Sequence, residues 1–323
     1  SSWCNLYMDL DHMVLTSSDM EIKFMTRKIM YLCFLLFALP VNASTLNIFT
    51  CEPEWGALAE EIGGQKITLF TATTAFQDPH HIEARPSLLA KARNSDLLFC
   101  TGADLEAGWL PILLRKSGND RIQPGKAGHL MAADHVQLLE TREKVDRSMG
   151  DVHAAGNPHI HLDPRNLPPV ADVLARRLIQ IDPANKSYYE ARLNDFSKRW
   201  KKAVARWEKQ SAAIRGMPIV VHHRSWVYLQ NWLDLEEIAT LEPKPGIPPT
   251  SKHLAKVVST LQSTPARAVI RSPYQDARAS QWLEKQTEIT AILLPYTVGG
   301  TESAGDLFSL FDDTISRLGK VAN

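Results

Sequence analysis

The stretch ANKSYYEARLNDFSKRWKKAVARWEKQSAAIRG, residues 184–216, decides how this chain is organised. It contains no proline or glycine until Gly216, which is a typical helix stop. A helix of about 30 residues is about 45 Å long, which exceeds the width of one small lobe. We therefore predict an interdomain helix over 184–216, the alternative being a core helix inside one lobe. Its large apolar residues recur at roughly helical spacing, at Tyr188, Leu193, Phe196, Trp200, Val204, Trp207 and Ile214.

Short apolar runs alternate with helical patterns on both sides of this helix. This rhythm is typical of parallel sheets that carry helices on their faces. We therefore predict an α/β fold of two lobes, over 44–183 and 217–323, joined by the long helix. Ligands of such folds bind at the carboxyl ends of strands and often between domains. The strand-like runs lie at 45–50, 66–72, 96–100, 218–221, 268–270 and 290–294.

Residues 25–43 have the order of a secretory signal peptide. A basic segment, MTRK, precedes the apolar run IMYLCFLLFAL at 29–39, and Ala43 ends the pattern. The run is shorter than the roughly 20 residues of a transmembrane helix, so we prefer a signal peptide to a membrane anchor. No cysteine follows the expected cleavage site, which favours a soluble periplasmic protein over a lipoprotein. We interpret residues 1–24 as an upstream extension outside the fold.

Charge composition argues against one class of partner. The 323 residues contain 36 Lys and Arg and 36 Asp and Glu, so the formal net charge is zero. Neither nucleic acid nor an anionic membrane would attract such a chain by general electrostatics. Basic residues also form no stripe interleaved with aromatic residues. We therefore predict that the protein does not bind nucleic acid.

Two cysteines, Cys51 and Cys100, remain after removal of the leader. Each ends a strand-like apolar run, and adjacent parallel strands would bring the two together. An even pair in an oxidising compartment favours a disulfide. A cysteine metal site is the alternative, but the pair lacks CxxC spacing.

Histidines cluster in three predicted loops. The first loop contains His80 and His81, the second His159 and His161, and the third His222 and His223. Imidazoles from separate rigid elements can meet the tetrahedral geometry of zinc. Prolines at 79 and 158 stiffen two of the loops, and we expect Asp78 and Asp163 to orient the imidazoles. The pattern indicates one shared metal site, although any single loop histidine is usually solvated.

Four motifs resemble those of the zinc- and manganese-binding proteins of bacterial ABC importers. They are DPHHIEARPS at 78–87, NPHIHLDP at 157–164, HHRSWVYL at 222–229 and EPKPGIPPTSKHL at 242–254. Their order and spacing, and the long helix between the second and third motifs, are similar to that family. The resemblance covers about residues 46–320 and implies a two-lobed fold with a rigid interdomain helix.

The resemblance implies that His80, His159 and His223 are the metal ligands. Members of the family often add an Asp after the last strand of the second lobe, but LLPYTVGG at 293–300 contains no carboxylate. We predict Glu302 as the fourth ligand, with Asp306 or a water as alternatives. Both carboxylates also suit the start of the last helix, and a cap is our preferred role for Asp306.

Four further residues flank these positions. His153 and His161 resemble a short form of the family's histidine loop, which collects or receives zinc, although solvated loop histidines are an equal alternative. Glu52 and Glu54 follow the first predicted strand. We expect them to cap the next helix rather than to line the cleft.

The predicted function is capture of one Zn²⁺ ion and its delivery to an ABC permease and ATPase. Three imidazoles and a carboxylate suit zinc, whereas manganese favours more oxygen donors. We expect a monomer that is not an enzyme and that a periplasmic zinc chaperone can supply. The alternatives are a manganese-binding member of the family and a zinc-dependent hydrolase with a three-histidine site.

Overall fold

The computed structural model describes residues 45–141, 150 and 153–322. The predicted extension 1–24 and signal peptide 25–43 lie outside the described residues. No helix in the described part of the chain is both long enough and apolar enough to cross a membrane.

The first sheet has four parallel strands in the order β2-β1-β3-β4. Its strands are β1 (Leu46–Thr50), β2 (Ile67–Thr71), β3 (Leu97–Cys100) and β4 (His129–Met131). The connecting helices are α1 (Pro53–Gly63), α2 (Pro86–Arg93) and α3 (Leu110–Ser117). Each of these helices has a proline in its first turn, where the missing N–H costs no helical hydrogen bond.

The second sheet repeats this arrangement with the order β6-β5-β7-β8, again all parallel. Its strands are β5 (Pro218–Val221), β6 (Glu236–Thr240), β7 (Ala268–Arg271) and β8 (Thr290–Leu293). The predicted α/β fold with two parallel sheets is therefore confirmed. The lobe boundaries at 183 and 217 stay a prediction. The helices of this half are α6 (Val227–Leu233), α7 (Ser251–Ser263), α8 (Arg278–Thr287) and α9 (Leu307–Ala322).

A long helix joins the two halves, as predicted. After α4 (Leu167–Ile181), helix α5 (Lys186–Gln210) runs for 25 residues. The turns Pro183–Asn185 and Ser211–Ala213 extend it as 3₁₀-helix at its two ends. The α-helical part is therefore shorter than the predicted 184–216, because both ends tighten into 3₁₀ turns.

The aromatic residues of α5 attach this helix to both halves of the molecule. Trp200 is fully buried, and its indole N–H donates to the carbonyl of Pro164 at 2.8 Å. Its ring packs against Phe308 of α9, with the ring centroids 4.9 Å apart. The indole N–H of Trp207 donates to the Asp312 carboxylate at 2.6 Å. This aromatic seam links the turn just before α4 to the last helix of the chain.

The disulfide prediction is confirmed by a bond between Cys51 and Cys100. The two Cα atoms are 4.8 Å apart, within the usual range for a disulfide. Each cysteine stands at or just past the carboxyl end of a strand, β1 or β3, and these strands are neighbours. Both residues are completely buried.

We expect Trp200→Ala to lower the free energy of unfolding by about 3–5 kcal/mol, because it leaves a large cavity in the core. The lost hydrogen bond to Pro164 adds to this effect. Urea unfolding followed by far-UV circular dichroism measures the change. Lys201→Ala, at the exposed next position of the same helix, is the matched control and should change stability by less than about 0.5 kcal/mol. If both substitutions changed the free energy of unfolding equally, the packing of Trp200 would not be what stabilises the protein.

We expect the double substitution Cys51→Ala, Cys100→Ala to destabilise the protein by about 4 kcal/mol, since the disulfide closes a long loop. The two cysteines are 49 residues apart in sequence. Thiol titration of the unfolded parent protein, before and after reduction, checks that the bond exists in solution. An unchanged thiol count on reduction would refute the disulfide.

Candidate metal centre

The three predicted histidine ligands come from three separate segments. His80 lies in the loop between β2 and α2, and His159 lies at the start of the 3₁₀ turn Ile160–Leu162. His223 stands two residues after β5. Two of the segments therefore leave the carboxyl ends of parallel strands, where ligands of α/β folds bind.

The structure brings these three imidazoles together. The ring centroids of His80 and His159 are 5.6 Å apart, and those of His80 and His223 are 6.0 Å apart. The rings of His159 and His223 are separated by 6.1 Å. His159 and His223 are buried, with 2% and 7% of their surface exposed. We call His80, His159 and His223 the histidine triad.

Carboxylates orient two members of the triad. Asp78 accepts a hydrogen bond from Nδ1 of His80 at 2.8 Å, and Glu242 accepts one from Nδ1 of His223 at 2.7 Å. An imidazole that carries its proton on Nδ1 presents the Nε2 lone pair to a metal. The hydrogen bonds therefore favour the tautomer in which the proton is on Nδ1 and the Nε2 lone pair can bind a metal.

Tyr296 performs the same task for the third imidazole. Its hydroxyl oxygen is 2.6 Å from Nδ1 of His159. Burial raises the pKa of Tyr296 well above its usual value, so the side chain remains a neutral phenol. A phenol both donates and accepts hydrogen bonds. In the tautomer in which Nδ1 of His159 donates to the Tyr296 oxygen, the Nε2 lone pair of His159 is available to a metal.

The protonation states of His159 and Asp78 favour binding of a cation. Burial lowers the pKa of His159 well below its usual value, and the neighbouring imidazoles of His80 and His223 lower it further. Burial opposes ionisation of Asp78, but the side-chain and backbone hydrogen bonds from His80, together with the charge interactions of His80 and His81, outweigh burial and lower the pKa of Asp78. The centre thus combines a neutral imidazole with an ionised carboxylate behind it.

The triad is spread more widely than a closed zinc site. Among the described side chains, the only trio of histidine, cysteine or carboxylate donors within 4.8 Å of one another is Cys51, Cys100 and Glu106, and its sulfurs form the disulfide. Nitrogens on a tetrahedral zinc are about 3.3 Å apart. Coordination of one ion by the whole triad therefore requires the rings to move towards one another.

The predicted fourth ligands lie in different surroundings. Glu302 is exposed, and the described contacts give it no hydrogen bond or ion pair with the triad, so its role as a ligand stays a prediction. Asp306 accepts a hydrogen bond from the Ser309 N–H at 2.8 Å. It therefore occupies the capping position that we preferred for it.

The two accessory histidines, His153 and His161, lie in different surroundings. His153 lies beside the triad, with its Nε2 at 3.3 Å from Nε2 of His80. His161, in contrast, is 1% exposed and lies in the 3₁₀ turn Ile160–Leu162. Its Nε2 is 2.9 Å from the carbonyl oxygen of Tyr296, and its Nδ1 is 3.0 Å from a carboxylate oxygen of Glu54. His161 thus supports the residue that orients His159.

The expectation that Glu52 and Glu54 cap α1 is wrong. No side chain caps this helix, and both glutamates are buried. Glu54 accepts a hydrogen bond from the Thr297 hydroxyl, whereas Glu52 accepts one from the Thr101 hydroxyl at 3.0 Å. Burial and the nearby carboxylates of Glu106 and Glu54 raise the pKa of Glu52 well above its usual value.

Sequence reasoning missed Tyr296 and Glu242 and misassigned Asp163. Asp163 bonds the Arg165 guanidinium at 2.7 Å instead of an imidazole. Glu242 is the first residue of the motif at 242–254. Its place in that motif could have marked it as a residue of the site. Tyr296 lies in the stretch that we noted only for lacking a carboxylate.

A cavity of about 700 Å³ opens beside the triad. His223, Glu242 and Asp78 form part of its wall, so it reaches one member of the triad and the two carboxylates that bond to triad imidazoles. Tyr274 and the exposed Trp282 also line it. The cavity gives solvent a route to the metal centre.

Comparison with known proteins agrees with this geometry. The zinc-uptake ZnuA of Yersinia pestis is 23% identical over 264 residues, which are 74% of this chain and 79% of that protein. The manganese ABC transporter substrate-binding lipoprotein PsaA of Streptococcus pneumoniae is 26% identical over 164 residues, half of each chain. A crystal structure of ZnuA superposes with a TM-score of 0.72 at 21% identity, covering 87% of this chain and all of that one.

The family model described as the zinc-uptake complex component A, periplasmic, matches residues 48–321. This span includes all but the first two residues of the two sheets, the long helix and every member of the triad. The chain therefore belongs to the ZnuA family of periplasmic metal-binding components.

Proposed function

We propose that this protein captures one Zn²⁺ ion with His80, His159 and His223 and delivers it to an ABC importer. The observation that carries the proposal is the triad itself. Three imidazoles from three segments converge, and each has a hydrogen-bond partner at Nδ1. That arrangement presents three Nε2 lone pairs to one cation.

The family acts in metal import, and the choice of metal is part of our proposal. Relatives carry the names of both zinc and manganese transport proteins. Nitrogen donors favour zinc, whereas manganese prefers sites richer in oxygen. In the described structure both carboxylates near the triad, Asp78 and Glu242, bond to imidazole Nδ1 atoms. The donor set therefore supports zinc.

The partners follow from the family. Its members work with a permease and an ATPase, and the family description places them in the periplasm. Export by residues 25–43, a monomeric state and supply by a periplasmic zinc chaperone remain proposals. In our proposal the rings approach one another as the ion binds, and the loaded protein then docks on the permease.

The first test is Zn²⁺ binding by the purified protein and by His80→Ala, His159→Ala and His223→Ala. Each substitution should weaken binding by at least about 10–100-fold, the loss that even an outer-sphere partner typically causes. Competition with a chromophoric chelator measures the dissociation constants. Parallel titrations with Mn²⁺ should show weaker binding to the parent protein.

The control is His253→Ala, which removes an imidazole that bonds the Thr240 carbonyl outside the triad. It should bind zinc as the parent does. Parent-like affinity in all three triad variants would place the zinc site elsewhere. Tighter binding of Mn²⁺ than of Zn²⁺ would favour the manganese alternative, and zinc-dependent ester hydrolysis that requires His159 would favour the hydrolase.

The second test is the pH dependence of zinc affinity. Affinity should be nearly constant above about pH 7 and should fall steeply below about pH 6, because protons and zinc compete for the same imidazole nitrogens. Chelator competition between about pH 5 and about pH 8 measures this. An affinity that does not change across this range would exclude histidine ligation.

The lowered pKa of His159 also predicts the behaviour of the metal-free protein. The folded state resists protonating this imidazole, so below about pH 6.5 the unfolded state binds more protons. Stability should therefore decrease as the pH falls below that value, and less so in His159→Asn. Urea unfolding at several pH values tests the sign. A metal-free protein that becomes more stable on acidification would contradict it.

A further inference from the structure

We infer that His153 is the fourth protein ligand of the bound zinc, so that the site holds the ion with four imidazoles. The inference rests on the proposed function, because it concerns the same ion. It replaces Glu302 as the fourth ligand and gives His153 a direct role in the site.

The first observation is the spacing of two donor atoms. Nε2 of His153 is 3.3 Å from Nε2 of His80, and the two rings are stacked with centroids 5.3 Å apart. Asp78 holds Nδ1 of His80, so its Nε2 is the nitrogen left for a metal. Two nitrogens bound to one tetrahedral zinc are about 3.3 Å apart. His153 therefore already stands at ligand spacing from His80.

The second observation is how the segment around His153 is held. The Tyr228 hydroxyl accepts the Leu139 N–H at 3.0 Å and donates to the Asn157 carbonyl at 2.8 Å. The Asn157 amide donates to the carbonyl of Arg224 at 3.0 Å, and the Arg224 guanidinium pairs with Glu140. Residues on both sides of His153 are thus tied to α6 and to the residue that follows His223.

The ties on the carboxyl side of His153 lie close to it in sequence. The Gly156 N–H donates to the His153 carbonyl at 3.3 Å, and the Asn157 N–H donates to the Leu139 carbonyl at 2.8 Å. A short turn therefore connects His153 to the anchored Asn157. The His153 side chain is only partly exposed, and it lies against His80.

The charge balance of the centre fits four neutral ligands. A four-imidazole set leaves the full charge of the ion to be offset from outside the ligand shell. Asp78 and Glu242 stand one hydrogen bond behind the ligands, and together they supply two negative charges when ionised. Glu302 is exposed and lacks a comparable contact. Four nitrogen donors also discriminate against manganese.

The test compares His153→Ala with Glu302→Gln, using Zn²⁺ and Co²⁺ as probes. His153→Ala should weaken zinc binding by at least about 10–100-fold, and it should change the visible absorption of bound Co²⁺, which reports the coordination sphere. Glu302→Gln should leave both unchanged. His81→Ala, which removes the exposed neighbour of His80, is the matched control for a nearby imidazole. Thermal unfolding of the metal-free variants checks that each one folds.

X-ray absorption of the zinc-loaded parent protein supplies an independent count, and four imidazoles are expected. Parent-like affinity and cobalt spectra in His153→Ala, or three imidazoles with one carboxylate, would overturn the inference while leaving the triad intact. Failure of the proposed function looks different, since zinc binding would then be insensitive to His159→Ala, or absent from the parent protein. Either of those results would overturn the fourth ligand as well.

Discussion

The candidate metal centre packs imidazoles against one another below the protein surface, where burial and like charges both oppose protonation. A neutral imidazole still has an N–H that needs an acceptor and a lone pair that needs a donor or a metal. The carboxylates of Asp78 and Glu242 satisfy the first requirement at Nδ1 of His80 and His223, and the Tyr296 hydroxyl lies within hydrogen-bond distance of Nδ1 of His159. The second requirement is left for the cation, so the hydrogen bonds that stabilise the cluster also prepare it to bind.

These three partners come from distant parts of the chain, and the rest of the fold keeps them in place. Asp78 precedes α2, Glu242 follows β6, and Tyr296 follows β8. The aromatic seam of α5 connects the turn at Pro164, close to His159, with α9. The loops of Asp78, Glu242 and Tyr296 follow strands of both sheets. The positions of these three side chains therefore depend on packing far from the imidazoles.

All four inner strands and two of the four edge strands were predictable from the sequence. The predicted strands correspond to β1, β2, β3, β5, β7 and β8. The missed strands, β4 and β6, are both edge strands. β4 has only three residues, and β6 begins with two glutamates, so neither forms a continuous apolar run.

The sequence by itself determined the two α/β halves, the long helix, the disulfide and the three loops that carry histidines, because each depends on local pattern or on strand order. Only the tertiary structure decided the surroundings of each histidine. His153 and His161 look alike in sequence, yet one lies against His80 and the other is buried behind Tyr296. Glu52 and Glu54 resemble helix caps, yet both are buried. The surroundings of these four residues depend on partners that are far apart in sequence. A local sequence pattern therefore cannot predict them.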